Sequence, residues 1–326
     1  MKLAVLIVSY NSELTIESVL TALESETINH EVFILDNASV DKTVEVLSRF
    51  KDAFVIESKA NLGFCAGNNV ILNRAYGLGF SHFLFLNPDA KPLEDALETF
   101  SKIASSTEIS AFTPKIFRST KSLELLNPPT IDAAGIYFTK NFRHLDRGAG
   151  QLDSGQFNQN EFVIGGTGAA LFVTRRFVEQ VSFKQTDGSF ELFDERFFAY
   201  REDAELALRA ARYGLQCQYL AEVKFVHLRR VTPERRAKLA PFLNALSVRN
   251  RLLLLLSHYS WRWPVKTQAL IWLRNLLVFG YAVIFEPQSR KLLLQSIFAI
   301  RTHLDRREVI RTKASSQRVS SSDIFS

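Results

Sequence analysis

Four apolar runs stand out in the first part of the chain: "LAVLIV" from Leu3, "EVFILD" from Glu31, "AFVIE" from Ala53 and "HFLFL" from His82. Between them, Glu17 to Leu23, Lys42 to Phe50 and Gly67 to Tyr76 carry apolar positions at helical spacing. Strands alternating with helices predict an α/β fold whose mostly parallel central sheet is buried on both faces. Ligands of such sheets sit beyond the carboxyl ends of the strands, so the residues after each run are where chemistry is expected.

From "FTPKIF" to "FVIGGTGAALFV" the chain is loop-rich, with turn chemistry in "LNPPTIDAAG" and "DRGAGQLDSGQFNQN". After His227 the pattern turns helical, basic and aromatic as far as about Thr312, and the polar end from Lys313 is expected to fray. This divides the chain into a body over 1–230, with halves meeting near 115, a helical basic extension over 231–312 and a flexible tail over 313–326. No internal repeat is visible.

The chain has 326 residues and is 47% hydrophobic, enough for a large core. Cys65 and Cys217 are far apart, which excludes a disulfide framework and a thiolate zinc site and suits a reducing compartment. The apolar start lacks a small-residue cleavage site and reads as a first strand, so a cytoplasmic protein is expected. Charge changes the picture most. Residues 1–223 hold 21 Lys and Arg against 29 Asp and Glu, whereas residues 224–326 hold 19 against 5. An acidic body with a basic end suggests an anionic partner, either a membrane surface or a nucleic acid.

Strand one ends in "VSYNS" without glycine, and neither G-x-G-x-x-G nor G-x-x-x-x-G-K occurs there, which argues against dinucleotide oxidoreductases and P-loop ATPases. Asp36, in "ILDNASVDKT", could accept hydrogen bonds from a base or ribose; equally, Asp36 or Asn37 could start a turn with Ser39 capping the next helix. "NLGFCAGNN" offers Gly63 and Gly67 for unusual backbone angles and Asn61, Asn68 and Asn69 for amide contacts, or it is a structural turn. "FLFLNPDAKP" sets Asp89 just past an apolar strand, where a parallel sheet could hold Mg²⁺ or Mn²⁺ beside a diphosphate, although N-P-D is also turn chemistry.

The ordered set "VLIVSYNS", "ILDNASVDKT", "NLGFCAGNN", "FLFLNPDA", "GGTGAALFVTRR" and "FDERFFAYREDAELALRAARYG" resembles the family 2 glycosyltransferases, which have the GT-A fold. "IDAAG" and "DRGAG" bring it nearest to the rhamnosyltransferase-like branch. The resemblance implies a donor half over about 1–115 and an acceptor half over about 116–230. It implies that Ser9, Asn11, Asp36, Asn61 and Gly63 face the nucleotide, and that Asn87 and Asp89 stand where the family has its metal-binding D-x-D. Here the first acid is Asn87, a departure that weakens the case for a metal. His227, at the end of "VKFVHLRR", is in the place of a family histidine that reaches metal or diphosphate; a structural histidine is the other reading.

In "FDERFFAYREDAELALRAARYG", Glu202, Asp203 and Glu205 fall in the first turn of a helix ending at Gly214, so they could simply complement the helix dipole. The preceding aromatics suggest more: a partly dry pocket around carboxylates, with Phe198 and Tyr200 joining Gly166 and Thr167 of "GGTGAALF" as the acceptor and sugar pocket. The resemblance makes Asp203 the base that activates an acceptor hydroxyl, with Glu202 second. A helix N-terminus is expected to lower the Asp203 pKa, and a weak base suffices if the proton leaves late.

At the basic end, the uninterrupted apolar run from Leu276 to Phe285 is too short to span a bilayer, and Trp261, Trp263 and Trp272 with flanking Lys and Arg point to interfacial helices on an anionic membrane. A helical domain packed on the sheet, or a homo-oligomer contact, is the alternative. Nucleic acid is not expected, because the basic residues share helices with long apolar faces. The expectation is an inverting glycosyltransferase at the cytoplasmic face of the membrane, in cell-envelope polysaccharide synthesis. It would move L-rhamnose from dTDP-rhamnose to a glycan or lipid-linked acceptor, aided by Mg²⁺ or Mn²⁺. UDP-galactose or UDP-N-acetylglucosamine as donor, or a non-catalytic glycan-binding scaffold, are the rivals.

Overall fold

The computed structural model describes residues 1–229, 241–314 and 324–325. The expected alternation is present as β1 (Leu3–Ser9), α1 (Ile16–Glu24), β2 (His30–Asp36), α2 (Thr43–Leu47), β3 (Phe54–Glu57), α3 (Gly63–Gly77) and β4 (His82–Leu86). Next come β5 (Ala90–Pro92), α4 (Ala96–Ala104), β6 (Ala111–Arg118), β7 (Ile131–Ala133), β8 (Ile136–Phe138), β9 (His144–Asp146) and β10 (Glu161–Val163). The body closes with β11 (Ala170–Thr174), α5 (Arg175–Val181), β12 (Phe183–Lys184), β13 (Phe190–Glu191), α6 (Glu202–Arg212) and β14 (Cys217–His227).

The main sheet runs β10-β14-β6-β11-β4-β1-β2-β3, with β5 beside β14 and β7 beside β6. β1 to β4 are mutually parallel, β14 is parallel to β6, and β11 lies antiparallel between β4 and β6. Alternate side chains feed two cores. On one face Leu6, Phe33, Leu35, Phe83 and Phe85 meet Ile71 and Leu72 of α3 and Leu206 and Leu208 of α6. On the other, Val5, Ile7, Ile34 and Leu84 meet α1, whose buried Ile16, Val19, Leu20 and Leu23 recur at helical spacing, and Leu97 and Phe100 of α4.

Four helices follow: α7 (Pro241–His258), α8 (Val265–Phe285), α9 (Pro287–Phe298) and α10 (Ile300–Lys313). α7 contributes Leu253, Leu254 and Leu255 to the same core as α6, so the helical region begins inside the body. The expected extension is thus a core helix followed by three more peripheral ones; residues 230–240 lie outside the described residues. α8 is a single 21-residue helix that continues through Arg274 and Asn275, long and apolar enough to cross a membrane by length and composition. The sequence reading counted only the run after Asn275. Its buried positions are Thr267, Ile271, Asn275 and Ala282, while Leu276 and Phe285 are 72% and 65% exposed. Apart from Ile271, the helix turns small or polar groups inward and many of its large apolar ones outward, the reverse of an ordinary surface helix. Within the segment expected to be a flexible tail, Ile324 is buried, and Phe325 packs on Trp263 and bridges to Phe138. Residues 315–323 and 326 lie outside the described residues.

Candidate functional site

The carboxyl ends of β1 and β2 are knitted together. Asp36 is buried and accepts hydrogen bonds from Ser9 Oγ (3.0 Å), Ser39 Oγ (2.6 Å) and the Ser39 amide (2.9 Å). The Asn11 amide donates to Ser39 Oγ, and Asn11 Oδ1 accepts from the Val40 amide, each at 2.9 Å. Ser9, Asn11 and Asp36 therefore stand together at the strand ends, holding the two loops in register. Asn61, on the surface, accepts from the Gly63 amide at 2.9 Å, and buried Asn37 bridges the Leu62 amide and the Gly63 carbonyl. Gly63 has φ +81°, and a Cβ there would lie 2.6 Å from the ring and carbonyl of Phe198. The Phe198 carbonyl in turn accepts from the Cys65 amide at 3.0 Å. The loop expected to face a ligand thus also clasps the turn that precedes α6.

That turn is strained: Phe198, Tyr200 and Arg201 all have positive φ, at 63°, 70° and 69°. Non-glycine residues held this way cluster at functional sites. The turn delivers Glu202 and Asp203 to the start of α6. Asp203 Oδ2 accepts from the Gly168 amide at 3.3 Å, and the side chain forms one wall of an otherwise largely apolar cavity with Ile164, Leu171, Phe177 and Leu206. Burial, reinforced by the charge of Asp146, raises Asp203 from 3.8 to about 6 despite the Ala204 and Gly168 amides and Arg201. Glu202 rises to about 8 through burial and the charge of Asp203, and its buried Oε2 has no hydrogen-bond partner among the described residues. This reverses the expectation of a lowered pKa: desolvation outweighs the helix dipole.

Glu205 is a different matter. It is fully buried against Arg209, which donates to both of its oxygens and to the Val181 and Leu192 carbonyls. Burial alone would raise Glu205, but Arg209 and His258 bring it down to about 2. It ties α6 to α7 and takes no part in the pocket.

On the other side of the site, β11 pairs with β4 so that Ala170 faces Leu86, and the Asn87 amide donates to the Ala169 carbonyl at 3.0 Å. Asn87 is therefore bonded to the residue after Gly168, whose own amide donates to Asp203. Tyr200 lies within electrostatic reach of both Glu202 and Asp89; its pKa is raised by burial and then by those two charges. His227, from the end of β14, places Nε2 3.4 Å from Asp89 Oδ1 and Nδ1 2.8 Å from Asp132 Oδ2. Burial would lower its pKa, but bonding to Asp132 and Asp89 pushes it up to about 10. Arg229 donates to Asp132 and to Asp146, linking the Asp89 side to the neighbourhood of Asp203.

Asp89 and His227 are thus adjacent, and Asp132 holds the histidine so that Nε2 faces Asp89. This is the orientation by which a second carboxylate prepares a ligating imidazole. Among the described residues no three His, Cys, Asp or Glu side chains converge on one metal position. With its pKa at about 10 the His227 imidazole is protonated at pH 7, so it would ligate an ion beside Asp89 only after giving up the Nε2 proton, the rest of the shell coming from a diphosphate and water.

Of the two expected pocket residues in the segment before β11, Gly166 is buried and lines the cavity that Asp203 borders, and a Cβ on it would meet Thr113 at 2.7 Å. Thr167 is half buried with Oγ1 turned to the Ala169 amide at 3.5 Å. Gly168 is the member of that segment that reaches the carboxylates. Phe198 and Tyr200 are half buried in the turn before Glu202, and Tyr200 is within electrostatic reach of it. Asp132, Asp146 and Arg229 were not singled out by sequence reasoning, although "IDAAG" and "DRGAG" contain the two acids.

The family model described as Glycosyl transferase family 2 matches residues 4–172. No curated protein matches the chain. Among solved structures, TarS 1-349 from S. aureus in complex with UDP-GlcNAc is similar at 14% identity and TM-score 0.54, over 97% of this chain and 89% of that one. GalNAc-T7 with UDP, GalNAc and Mn²⁺ is similar at 11% identity and TM-score 0.63, over 93% of this chain and 58% of that one. The mannosyltransferase PcManGT from Pyrobaculum calidifontis, in complex with GDP-Man and Mn²⁺, is similar at 15% identity and TM-score 0.50, over 96% and 86%.

Proposed function

The chain belongs to glycosyl transferase family 2 and is a glycosyltransferase of GT-A fold; from that premise we propose that it transfers a sugar, with inversion, from a nucleoside diphosphate donor to a glycan or lipid-linked acceptor. The observation that carries the reading is the seam where Asn87 meets Ala169. It supports the reading because the loop after β4 carries Asp89, with His227 against it, while the Gly168 amide next to Ala169 holds Asp203, a half-buried carboxylate raised to about 6.

Asp203 takes the proton of the acceptor hydroxyl as that oxygen bonds to the anomeric carbon from the face opposite the leaving group. The bond to the diphosphate breaks, and its electron pair leaves with the phosphate oxygen. A base near neutrality is well matched to this transfer, and the Gly168 amide keeps Asp203 oriented. Glu202 is mostly protonated at pH 7 and can donate a hydrogen bond beside Asp203. Mg²⁺ or Mn²⁺, held by Asp89 and His227, would supply charge neutralisation for the diphosphate. Tyr200, between the two ends, is suited to contact the sugar.

dTDP-rhamnose is the donor we assign, because the segments nearest the rhamnosyltransferase-like branch are those that supply Asp132 and Asp146. The outward apolar face of α8, continued by Ile297 and Phe298 of α9, supports peripheral contact with an anionic membrane, where a lipid-linked acceptor in envelope polysaccharide synthesis would be met. A second copy of the chain is the other occupant this face would accept.

Calorimetric titration with dTDP, UDP and GDP, each with and without Mn²⁺, tests the donor side. Metal-dependent binding of dTDP, lost in Asp89→Asn, is expected. Preference for UDP or GDP would reassign the donor, and binding of none would remove the reading. Flotation with anionic liposomes tests the membrane: Leu276→Glu with Phe285→Glu should release the protein, and unchanged flotation would refute that contact.

A further inference from the structure

Asn250 of α7 is 0% exposed and far in sequence from the carboxylates, yet its side-chain amide donates to three carbonyls of the strained turn. These are Phe197 (2.9 Å), Ala199 (2.8 Å) and Tyr200 (2.7 Å). The neighbouring Arg249 donates to the carbonyls of Arg196 (2.7 Å) and Phe197 (2.8 Å), and its Nε and Nη2 also reach Asn250 Oδ1, fixing which end of that amide faces the turn. From the turn itself Arg201 Nε reaches back to the Ser247 carbonyl at 3.0 Å.

Such bonding answers a specific need. Three non-glycine residues with positive φ cost of order 1–3 kcal/mol each and persist only where surrounding structure over-determines them. The Phe198 carbonyl is taken by the Cys65 amide and the Arg201 carbonyl by the Glu205 amide, whereas those of Ala199 and Tyr200, with Phe197 before them, share the two N–H groups of Asn250. One side-chain amide, itself held by a guanidinium, supplies them from within the core.

We propose that Asn250, held by Arg249, is a positioning residue of the transfer reaction: it fixes the 197–201 turn so that Asp203 and Glu202 enter the pocket in the reactive arrangement. The proposal rests on the reading of Asp203 as the base. Arg251, next along α7, donates to Asn275 of α8 at 2.6 Å, so the same helix joins the catalytic turn to the helix with the outward apolar face.

The test uses the full chain with Asn250→Ala. Amide hydrogen exchange should speed up at least tenfold over residues 196–206, with the β1 to β4 strands unchanged. Release of nucleoside diphosphate from dTDP-rhamnose, UDP-GlcNAc and GDP-Man gives the kinetic arm. For whichever donor the wild type turns over, kcat should fall at least tenfold while the donor KM stays within about twofold. The acid limb of kcat should also move to lower pH as Asp203 gains solvent; the charges facing it, Glu202, Asp146 and Arg201, are untouched by the substitution. Unchanged exchange over 196–206 overturns the clamp. Faster exchange with unaltered kcat and acid limb overturns the positioning role. Absence of turnover in the wild type with all three donors counts against the proposed reaction, and with it the positioning role, while exchange still decides the clamp. If Asn250→Ala does not fold, Arg249→Ala, which removes only the outer bonds, is read by the same outcomes.

Discussion

Replacing Asp203 by Asn should stabilise the protein while disabling it. In the folded chain this carboxyl stands at about 6 against an ordinary 3.8, because burial and Asp146 disfavour its charge. Each pH unit of that difference corresponds to about 1.4 kcal/mol, so holding it ionised near pH 8 costs about 3 kcal/mol, or about 2 kcal/mol once its partial exposure is allowed for. The sign follows from proton binding. Since the folded value is the higher, the native state binds the proton more tightly between about pH 4 and pH 6, and stability drops as pH rises through that window. Asn has the same shape and can still accept from the Gly168 amide, but carries no charge. Urea unfolding of both proteins, followed by tryptophan fluorescence, should show Asp203→Asn more stable by about 2 kcal/mol near pH 8, with the gap closing toward about pH 4. Nucleotide binding should persist, and turnover should fall by a factor of roughly 100 or more. A variant less stable than wild type near pH 8, or a difference that ignores pH, would refute the claim that Asp203 is held under desolvation.

Asp132→Asn should weaken Mn²⁺-dependent nucleotide binding by roughly 10- to 100-fold in calorimetry, since it loosens the hold on His227, while metal-free binding stays as it was. Arg209→Met should cost roughly 3–5 kcal/mol in urea unfolding by stranding the buried Glu205; adding Glu205→Leu should recover most of that. Gly63→Ala should lower stability by roughly 1–3 kcal/mol and reduce turnover, because the new Cβ meets Phe198 and drives the catalytic turn from its place.

The sheet and the strand-end loops were legible in the chain because both depend on short-range pattern: apolar runs of strand length, each followed by polar turn residues. The start of α6 was legible for the same reason. Asp132, Asp146 and Arg229 were not, since their roles come from pairings across 83 to 97 positions that no local spacing records. The charge state of Asp203 was misjudged because the helix dipole can be read from sequence, whereas the apolar cavity that opposes it is assembled from β10–β11, α5 and α6. Asn250 shows the same limit: within "SVRNRLLLLL" it reads as one polar residue in a helix, and only the fold reveals three carbonyls converging on it.

The antiparallel placement of β11 beside β4 makes the sheet a ruler for the reaction. The end proposed to receive the leaving group follows β4, and the proposed base, Asp203, is held by Gly168, two residues before β11. Both ends thus depend on the pairing of β11 with β4. Grafting the 139–143 or 147–160 loops from a related enzyme should therefore be able to change which acceptor enters without altering the stereochemical outcome. A one-residue slip of β11 against β4 would shift one end relative to the other.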